Sequence, residues 1–516
     1  MVACARPIAE PRDVRLLASS YDVVEKSVSQ LQTDMSSGRV SAQQLVAAYF
    51  ARMDAFDRSG PSLNSVLARN PRALADARLL DEERARGHVR GPLHGIPILI
   101  KDNIESADPL PTTAGSLALA NNLTQRDAPV VARLRAAGAI VLGKTNLSEW
   151  ANIRSTHATS GWSAVGGLTK NPYALDRNAC GSSSGSGVAI AASFAAFALG
   201  TETDGSITCP ASLNGLVGLK PSMGLVPRTH IIPITSAQDT TGPMARTVED
   251  AALALSIIAG PDPADPATQD AGAHKIEYLE QLDKNALRGK RLGLLKFYAG
   301  FLPSVDALLE ATLQQLRAAG AEVVLIEAPK GLEDSERAAL DHDELMLMLT
   351  DLRIELNAYL ASAPQAVKTR SLADVIAFNR EHAREELPYF EQELFIQAEA
   401  TANHDPSARA QQRANLQTRA ARALDQLLAA HACDALIAPT VGPAWTTDLI
   451  NGDHWLGSAT TLPAIAGYPH LSVPMGQVHG LPVGLSFMGP AWSDAKLLAL
   501  AFAFQQQAQH RTPPPL

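Results

Sequence analysis

Residues 180–212 read CGSSSGSGVAIAASFAAFALGTETDGSITCPAS: a Ser/Gly-rich loop, an Ala-rich apolar run, and a second loop in which Thr, Glu, Asp and Gly crowd around Ser206. The middle piece, residues 187–199, is apolar nearly all round, which predicts a buried helix rather than an amphipathic surface one. Such a helix holds both its ends rigidly, and each end carries serines beside glycines. Glycine tolerates positive φ and close approach, so backbone N–H groups in these loops can converge on a small anion. The pattern points to serine chemistry with a backbone oxyanion hole.

Residues 181–185, GSSSG, also fit the G-x-S-x-G nucleophile elbow with Ser183 at its centre, a motif that needs a strand immediately before it. What precedes is NPYALDRNAC, with turn formers and little apolar periodicity. An elbow would need an acid and a histidine downstream, and Asp434 with His454 or His470 are the candidates.

A length of 516 residues suggests two to four domains or one large α/β unit. Hydrophobic residues at 46% with 19% charged match an ordinary soluble globular chain. A net charge of -9 without a clustered basic stripe excludes nucleic acid as the main partner. The longest apolar run is too short to span a bilayer, so no membrane partner is expected.

The 4 cysteines, Cys4, Cys180, Cys209 and Cys433, offer neither a zinc pattern nor C-x-x-C, so neither a metal nor a redox motif is expected. Cys180 and Cys209 flank the two serine loops, and the expectation is a buried free thiol at each, acting as a small hydrophobe. The N-terminal MVACARPIAEPRD has no apolar h-region, so no signal peptide is expected. That predicts a soluble cytoplasmic chain, or a periplasmic or secreted one if a leader has been removed.

Along the chain, Ser41 and Gln44 form a capping box ahead of a helical apolar pattern, and PRALADARLLDEERARG reads as a second helix ended by Gly87. Residues 1–90 are therefore expected to form a helical cap on the main body. Residues 96–100 then read as a short buried strand followed directly by Lys101. Lysines are rarely buried without a partner. In a desolvated site the lysine pKa falls, and a neutral amine can act as a general base.

GIPILIKDNI, CGSSSGSG and GTETDGSI, in this order, resemble the three signature blocks of the amidase signature family, whose hydrolases use a Ser–cis-Ser–Lys triad. The resemblance runs from about Gly91 to the C-terminus. Within that family, GKTNLSEWAN, QDTTGPMART and AGYPHLSVPMG bring the chain nearest to bacterial members that remove the C-terminal amide of peptides. The resemblance implies Ser206 as nucleophile, Ser182 as the bridging cis-serine after Gly181, and Lys101 as base. It implies an oxyanion hole from the backbone N–H groups of Thr203, Asp204, Gly205 and Ser206, with Ser183 behind the triad helping to orient the lysine and the bridge. It implies no cofactor and no metal, a peptide or small-molecule amide as substrate, and action as a single chain rather than in an obligate complex.

Lys144, in the GKTN stretch, is a rival base that the resemblance places away from the triad. Trp150 and Trp162 are candidates to line the substrate cleft. Between and after these blocks the pattern is α/β: a helix PVVARLRAAG, a strand AIVLGKTN, a capped helix after Thr247, and a Pro/Asp-rich linker at 261–272. Residues 91–260 are expected to carry the catalytic core and 261–516 the remainder of the same domain. A mostly helical, polar insertion at about 331–431 is expected to shape the substrate mouth. The fold implied is the amidase signature fold, a central mixed β-sheet covered by helices on both faces.

The function expected is hydrolysis of the C-terminal carboxamide of a peptide to the acid and ammonia through an acyl-enzyme. Alternatives are a broad aryl/alkyl amide or carbamate hydrolase of the same family, and a glutamine-hydrolysing subunit of a tRNA-dependent amidotransferase. The triad residues alone do not distinguish these.

Overall fold

The short apolar runs read as strands assemble, in the computed structural model, into a single large sheet. The structure describes residues 21–403, 406–507 and 510–516; Cys4 and the N-terminal segment read for a leader lie outside them. The strands are β1 (Val66–Arg69), β2 (Pro97–Lys101), β3 (Ile140–Thr145), β4 (Trp162–Ser163), β5 (Gly167–Leu168), β6 (Phe197–Glu202), β7 (Val217–Lys220) and β8 (Thr240–Ala245), followed by β9 (Arg291–Leu295), β10 (Glu322–Ile326), β11 (Ala435–Pro439), β12 (His470–Val478) and β13 (Leu481–Met488). β4 and β5 pair by themselves, and the other strands form an 11-stranded sheet in the order β1-β3-β2-β6-β8-β7-β12-β13-β11-β9-β10. β2 runs parallel to β3 and β6, and β9 runs parallel to β10 and β11, while the remaining neighbours are antiparallel. This is the mixed, helix-flanked α/β sheet that the signature blocks imply. β2, β3 and β6 are buried along their whole length, as parallel strands covered on both faces must be.

The expectation of one buried helix over 187–199 is not met. The helix is Ser184–Ala191; Ser193 then adopts φ +57, and the chain enters β6 at Phe197. An all-apolar run carries no periodicity that separates a buried helix from a buried strand. Tertiary pairing decides, because Ala198 and Leu199 lie between β2 and β8. The second serine loop therefore leaves the carboxyl end of a strand. Sites in parallel α/β sheets collect at such ends, and Lys101 closes β2 beside it.

Among the described residues before Gly91 stand the helices Val28–Ser36, Ala42–Phe56 and Ala73–Ala85, with β1 between the last two. The Ser41–Gln44 capping box forms as read, and β1 pairs antiparallel with β3 at the sheet edge, so this segment adds a strand as well as helices. The Pro/Asp-rich stretch at 261–272 is tied to the body by the Arg228–Asp265 ion pair at 2.6 Å. Residues 331–431 hold the helices Asp334–Ser362, Leu372–Glu381, Ala383–Glu386, Glu393–Ala400 and Pro406–Ala430. Among the described residues no helix is long and apolar enough to cross a membrane.

Candidate active site

The helix Ser184–Ala191 fits where it does because its first turn is built from small residues. A Cβ on Gly185 would stand 2.3 Å from the Ser65 carbonyl oxygen and 2.5 Å from that of Asn146, so only glycine lets this turn approach the loops beneath it. That approach fixes the preceding loop, in which the Gly181–Ser182 peptide is cis, as the family resemblance implies. Ser182 is fully buried, and its carbonyl accepts from Ser148 N–H at 3.0 Å.

Lys101 is buried to 0% exposure, and its Nζ lies 2.7 Å from Ser182 Oγ, 3.1 Å from the Thr201 carbonyl and 2.9 Å from Thr201 Oγ1. Burial pulls its pKa down to about 7, against a smaller opposing pull from Asp239 and Glu202. Desolvation thus brings a strand-end lysine to the protonation range a general base needs. Ser183 sits just behind: its Oγ donates to the Thr201 carbonyl at 3.1 Å, so it shares an acceptor with Lys101 and does not touch it.

Ser206 stands on the turn between β6 and the short helix Thr208–Leu213. Gly205 carries φ +75, which swings the chain from the strand end into that turn. The Glu202 carboxylate accepts from Ile207 N–H at 2.7 Å and Thr208 N–H at 2.9 Å, pinning the turn from below. Among the described residues, the backbone N–H groups of Asp204, Gly205 and Ser206 have no protein acceptor. Unsatisfied, convergent N–H groups beside a serine hydroxyl are what an oxyanion requires.

Two tethers join the serine loops. Ser183 N–H donates to the Ser206 carbonyl at 3.1 Å. Cys180 and Cys209 form a disulfide, which corrects the expectation of two free thiols. Linear spacing carries no hint of it, because the two cysteines meet only when β6 returns the chain to the first loop.

A cleft of about 720 Å³ opens over Ser206, with Gly181, Gly205, Cys180 and Cys209 in its floor. Phe297, Phe301, Trp445 and Trp455 form apolar walls, while Asp341 and Glu344 of the helix Asp334–Ser362 face it from the segment expected to shape the mouth. Trp150 and Trp162 are core instead: Trp150 packs edge-on to Phe395, and Trp162 on Phe390. A second cavity of about 320 Å³, lined by Asn103, Thr201, Thr203 and Asp239, lies beside the first, and Ala151 and Ile234 line both.

The rival residues go elsewhere. Lys144 binds the Ile104 carbonyl and Thr112 Oγ1 and pairs with Asp102 at 3.7 Å. Asp434 pairs with Lys290, His454 contacts the Gly452 carbonyl, and His470 is buried against Ser486. The elbow reading therefore has no assembled partners. Sequence reasoning missed Thr201, which holds the lysine, and Glu202, which holds the Ser206 turn, although both stand in the GTETDGSI block.

The sequence model of the Amidase family matches residues 44–498. A probable amidase of Arabidopsis thaliana is 38% identical over 504 residues, spanning 96% of this chain and 93% of its own. The native peptide amidase of Stenotrophomonas maltophilia superposes with a TM-score of 0.88 at 49% identity, covering 95% of this chain and 98% of that one. One subunit of the glutamyl-tRNA(Gln) amidotransferase of Symbiobacterium thermophilum is 32% identical over 496 residues, with 94% and 97% covered. On the matched span and these full-length likenesses, the chain belongs to the amidase signature family.

Proposed function

We propose that this protein hydrolyses the C-terminal carboxamide of peptides, releasing ammonia, with Ser206 as nucleophile, Ser182 as bridge and Lys101 as base. The observation that carries the chemistry is the buried 2.7 Å contact between a lysine with pKa near 7 and Ser182, behind a cleft that reaches Ser206. A serine hydroxyl is a weak nucleophile until a neighbouring base takes its proton. As Ser206 Oγ bonds to the amide carbon, its proton passes to Ser182 and that of Ser182 to Lys101. The backbone N–H groups of residues 203–206 hold the oxyanion. On collapse the C–N bond breaks, the relay returns a proton to nitrogen, and ammonia leaves. Water then attacks the acyl-enzyme by the same path, freeing the acid and Ser206.

The likeness to a peptide amidase supports the substrate class, and so does the aromatic-walled cleft, which is in the size range of sites for extended ligands. The test is ammonia release from an amidated dipeptide, an aryl amide and free glutamine, with wild type, Ser206→Ala and Lys101→Ala side by side. Release from the peptide amide, lost in both variants, is expected. Turnover of glutamine alone would move the protein to the amidotransferase reading, and of the aryl amide alone to the broad amidase reading.

A further inference from the structure

Lys101 ends β2, and Asp102 and Asn103 form the turn that follows, closed by the Ile104 N–H on the Lys101 carbonyl at 3.0 Å. Within that turn the side chains divide. Asp102 turns to Thr113 and Lys144. Lys101 and Asn103 both turn to Thr201 Oγ1, each at 2.9 Å. Asn103 is 4% exposed and makes no direct contact with either serine of the relay.

The arithmetic of donors around the lysine gives this shared oxygen a consequence. A neutral amine has two N–H donors and one lone pair. The Thr201 carbonyl can only accept, so it takes one N–H. Thr201 Oγ1 and Ser182 Oγ then divide the second N–H and the lone pair between them. For Lys101 to receive the Ser182 proton its lone pair must face Ser182, and the Thr201 hydroxyl must accept. Were that hydroxyl to turn its own proton on Nζ, the relay would run the wrong way. An Asn103 N–H on Oγ1 occupies one side of the oxygen and holds it in place. With Lys101 donating to its other lone pair, both acceptor positions of Oγ1 are filled and the hydroxyl proton takes the remaining direction, away from Nζ.

Resting on the reading of Lys101 as base, we infer that Asn103 is a positioning residue for this reaction: through Thr201 Oγ1 it keeps the lysine lone pair directed at Ser182.

Two substitutions and two readouts test this. Asn103→Ala frees the Thr201 hydroxyl to donate to Nζ and should lower kcat about tenfold or more with KM little changed. Asn103→Asp is nearly isosteric and places a carboxylate two hydrogen bonds from Nζ. It should move the acid limb of the pH profile up by about one unit. The profile is read as kcat/KM on an amidated dipeptide and, independently of the substrate class, as the rate of covalent inactivation by a sulfonyl fluoride. An Asn103→Asp limb within about 0.3 units of wild type overturns the inference, even if Asn103→Ala fails to fold. Lys101→Ala is run in parallel. Retained activity there sinks the base itself, whereas a dead Lys101→Ala with an unmoved Asn103→Asp profile sinks only the role of Asn103.

Discussion

Cys180 is covalently joined to Cys209, so the loop that carries Ser182 and the turn that carries Ser206 are bound by a disulfide as well as by the hydrogen bond from Ser183 to Ser206. The bond closes a loop of 29 residues that contains the whole helix–strand unit between the serines. Both cysteines line the cleft over Ser206.

Reduction should therefore cost stability and turnover together. Closing a loop of this length stabilises a fold by about 2–4 kcal/mol, so a dithiol or Cys180→Ser should lower Tm. The Ser183–Ser206 hydrogen bond remains, so activity should fall several-fold and not vanish. Peptide mapping without reductant should recover the two cysteines as a linked pair; their recovery as separate thiols would refute the tether.

The pH dependence follows from the burial of Lys101. Its pKa is pulled down to about 7, and only the neutral amine can accept the Ser182 proton. Activity should be level above that value and fall roughly tenfold per pH unit well below it. Lys101→Arg, which stays charged at every accessible pH, should be inactive throughout. A kcat/KM that holds constant from pH 8 to pH 5 would contradict a lysine base.

Gly205 is the point where the loop proposed to bind the oxyanion depends on the backbone itself. At φ +75 an alanine is strained by about 1–2 kcal/mol, and its Cβ would come within 3.2 Å of Thr460 Oγ1. Relaxing the backbone strain turns the adjacent N–H groups away from their present direction. Loss of one oxyanion donor typically costs about 10²–10³ in rate, so Gly205→Ala should lose kcat on that scale. Its sulfonyl fluoride reactivity should drop in parallel, and a variant with wild-type kcat would show that these N–H groups do not bind the oxyanion.

Much of this site was legible because its chemistry lies in short local blocks. Lys101 at a strand end, serines beside glycines and Gly205 before Ser206 can each be read from a handful of neighbours. What stayed hidden depends on pairing across the fold. The 187–199 run starts as helix, turns over 192–196 and ends as strand because β2 and β8 flank its last residues, which composition does not record. Burial of a strand-end lysine was no unique signal either: Lys144 and Lys220 are buried as fully as Lys101. What distinguishes Lys101 is its meeting with Ser182, 81 residues away. The cleft walls come from Phe297, Glu344 and Trp455, far apart in sequence and without local periodicity to mark them.

One joint between the insertion and the body is built around a buried cation. Arg154 is 0% exposed and donates to Glu149 Oε1 at 2.6 Å and to the Glu386 carbonyl at 2.5 Å, while its guanidinium stacks 4.3 Å from the Phe390 ring. Glu386 in turn accepts from Ser116 Oγ at 3.1 Å and from Leu117 N–H at 2.7 Å, so the joint is made from both sides. Truncating one partner of a buried ion pair strands the other charge in a dry environment and costs about 3–5 kcal/mol. Arg154→Met keeps much of the packing volume but leaves Glu149 and Glu386 facing each other without a cation. Both carboxyls already have raised pKa values, chiefly from burial, and without the guanidinium they should be driven further toward the neutral form. The variant should therefore unfold at lower temperature, with the deficit narrowing as pH falls and the stranded carboxylates protonate. Because Ser155 and Ala158, beside Arg154, line the cleft, loosening this joint should raise KM more than it lowers kcat. Limited proteolysis supplies the direct check: cleavage within residues 331–431 should accelerate in Arg154→Met, and an unchanged digestion pattern with unchanged Tm would show that the insertion is held by its other contacts, among them Thr235–Asp351 and Ser155–Glu393.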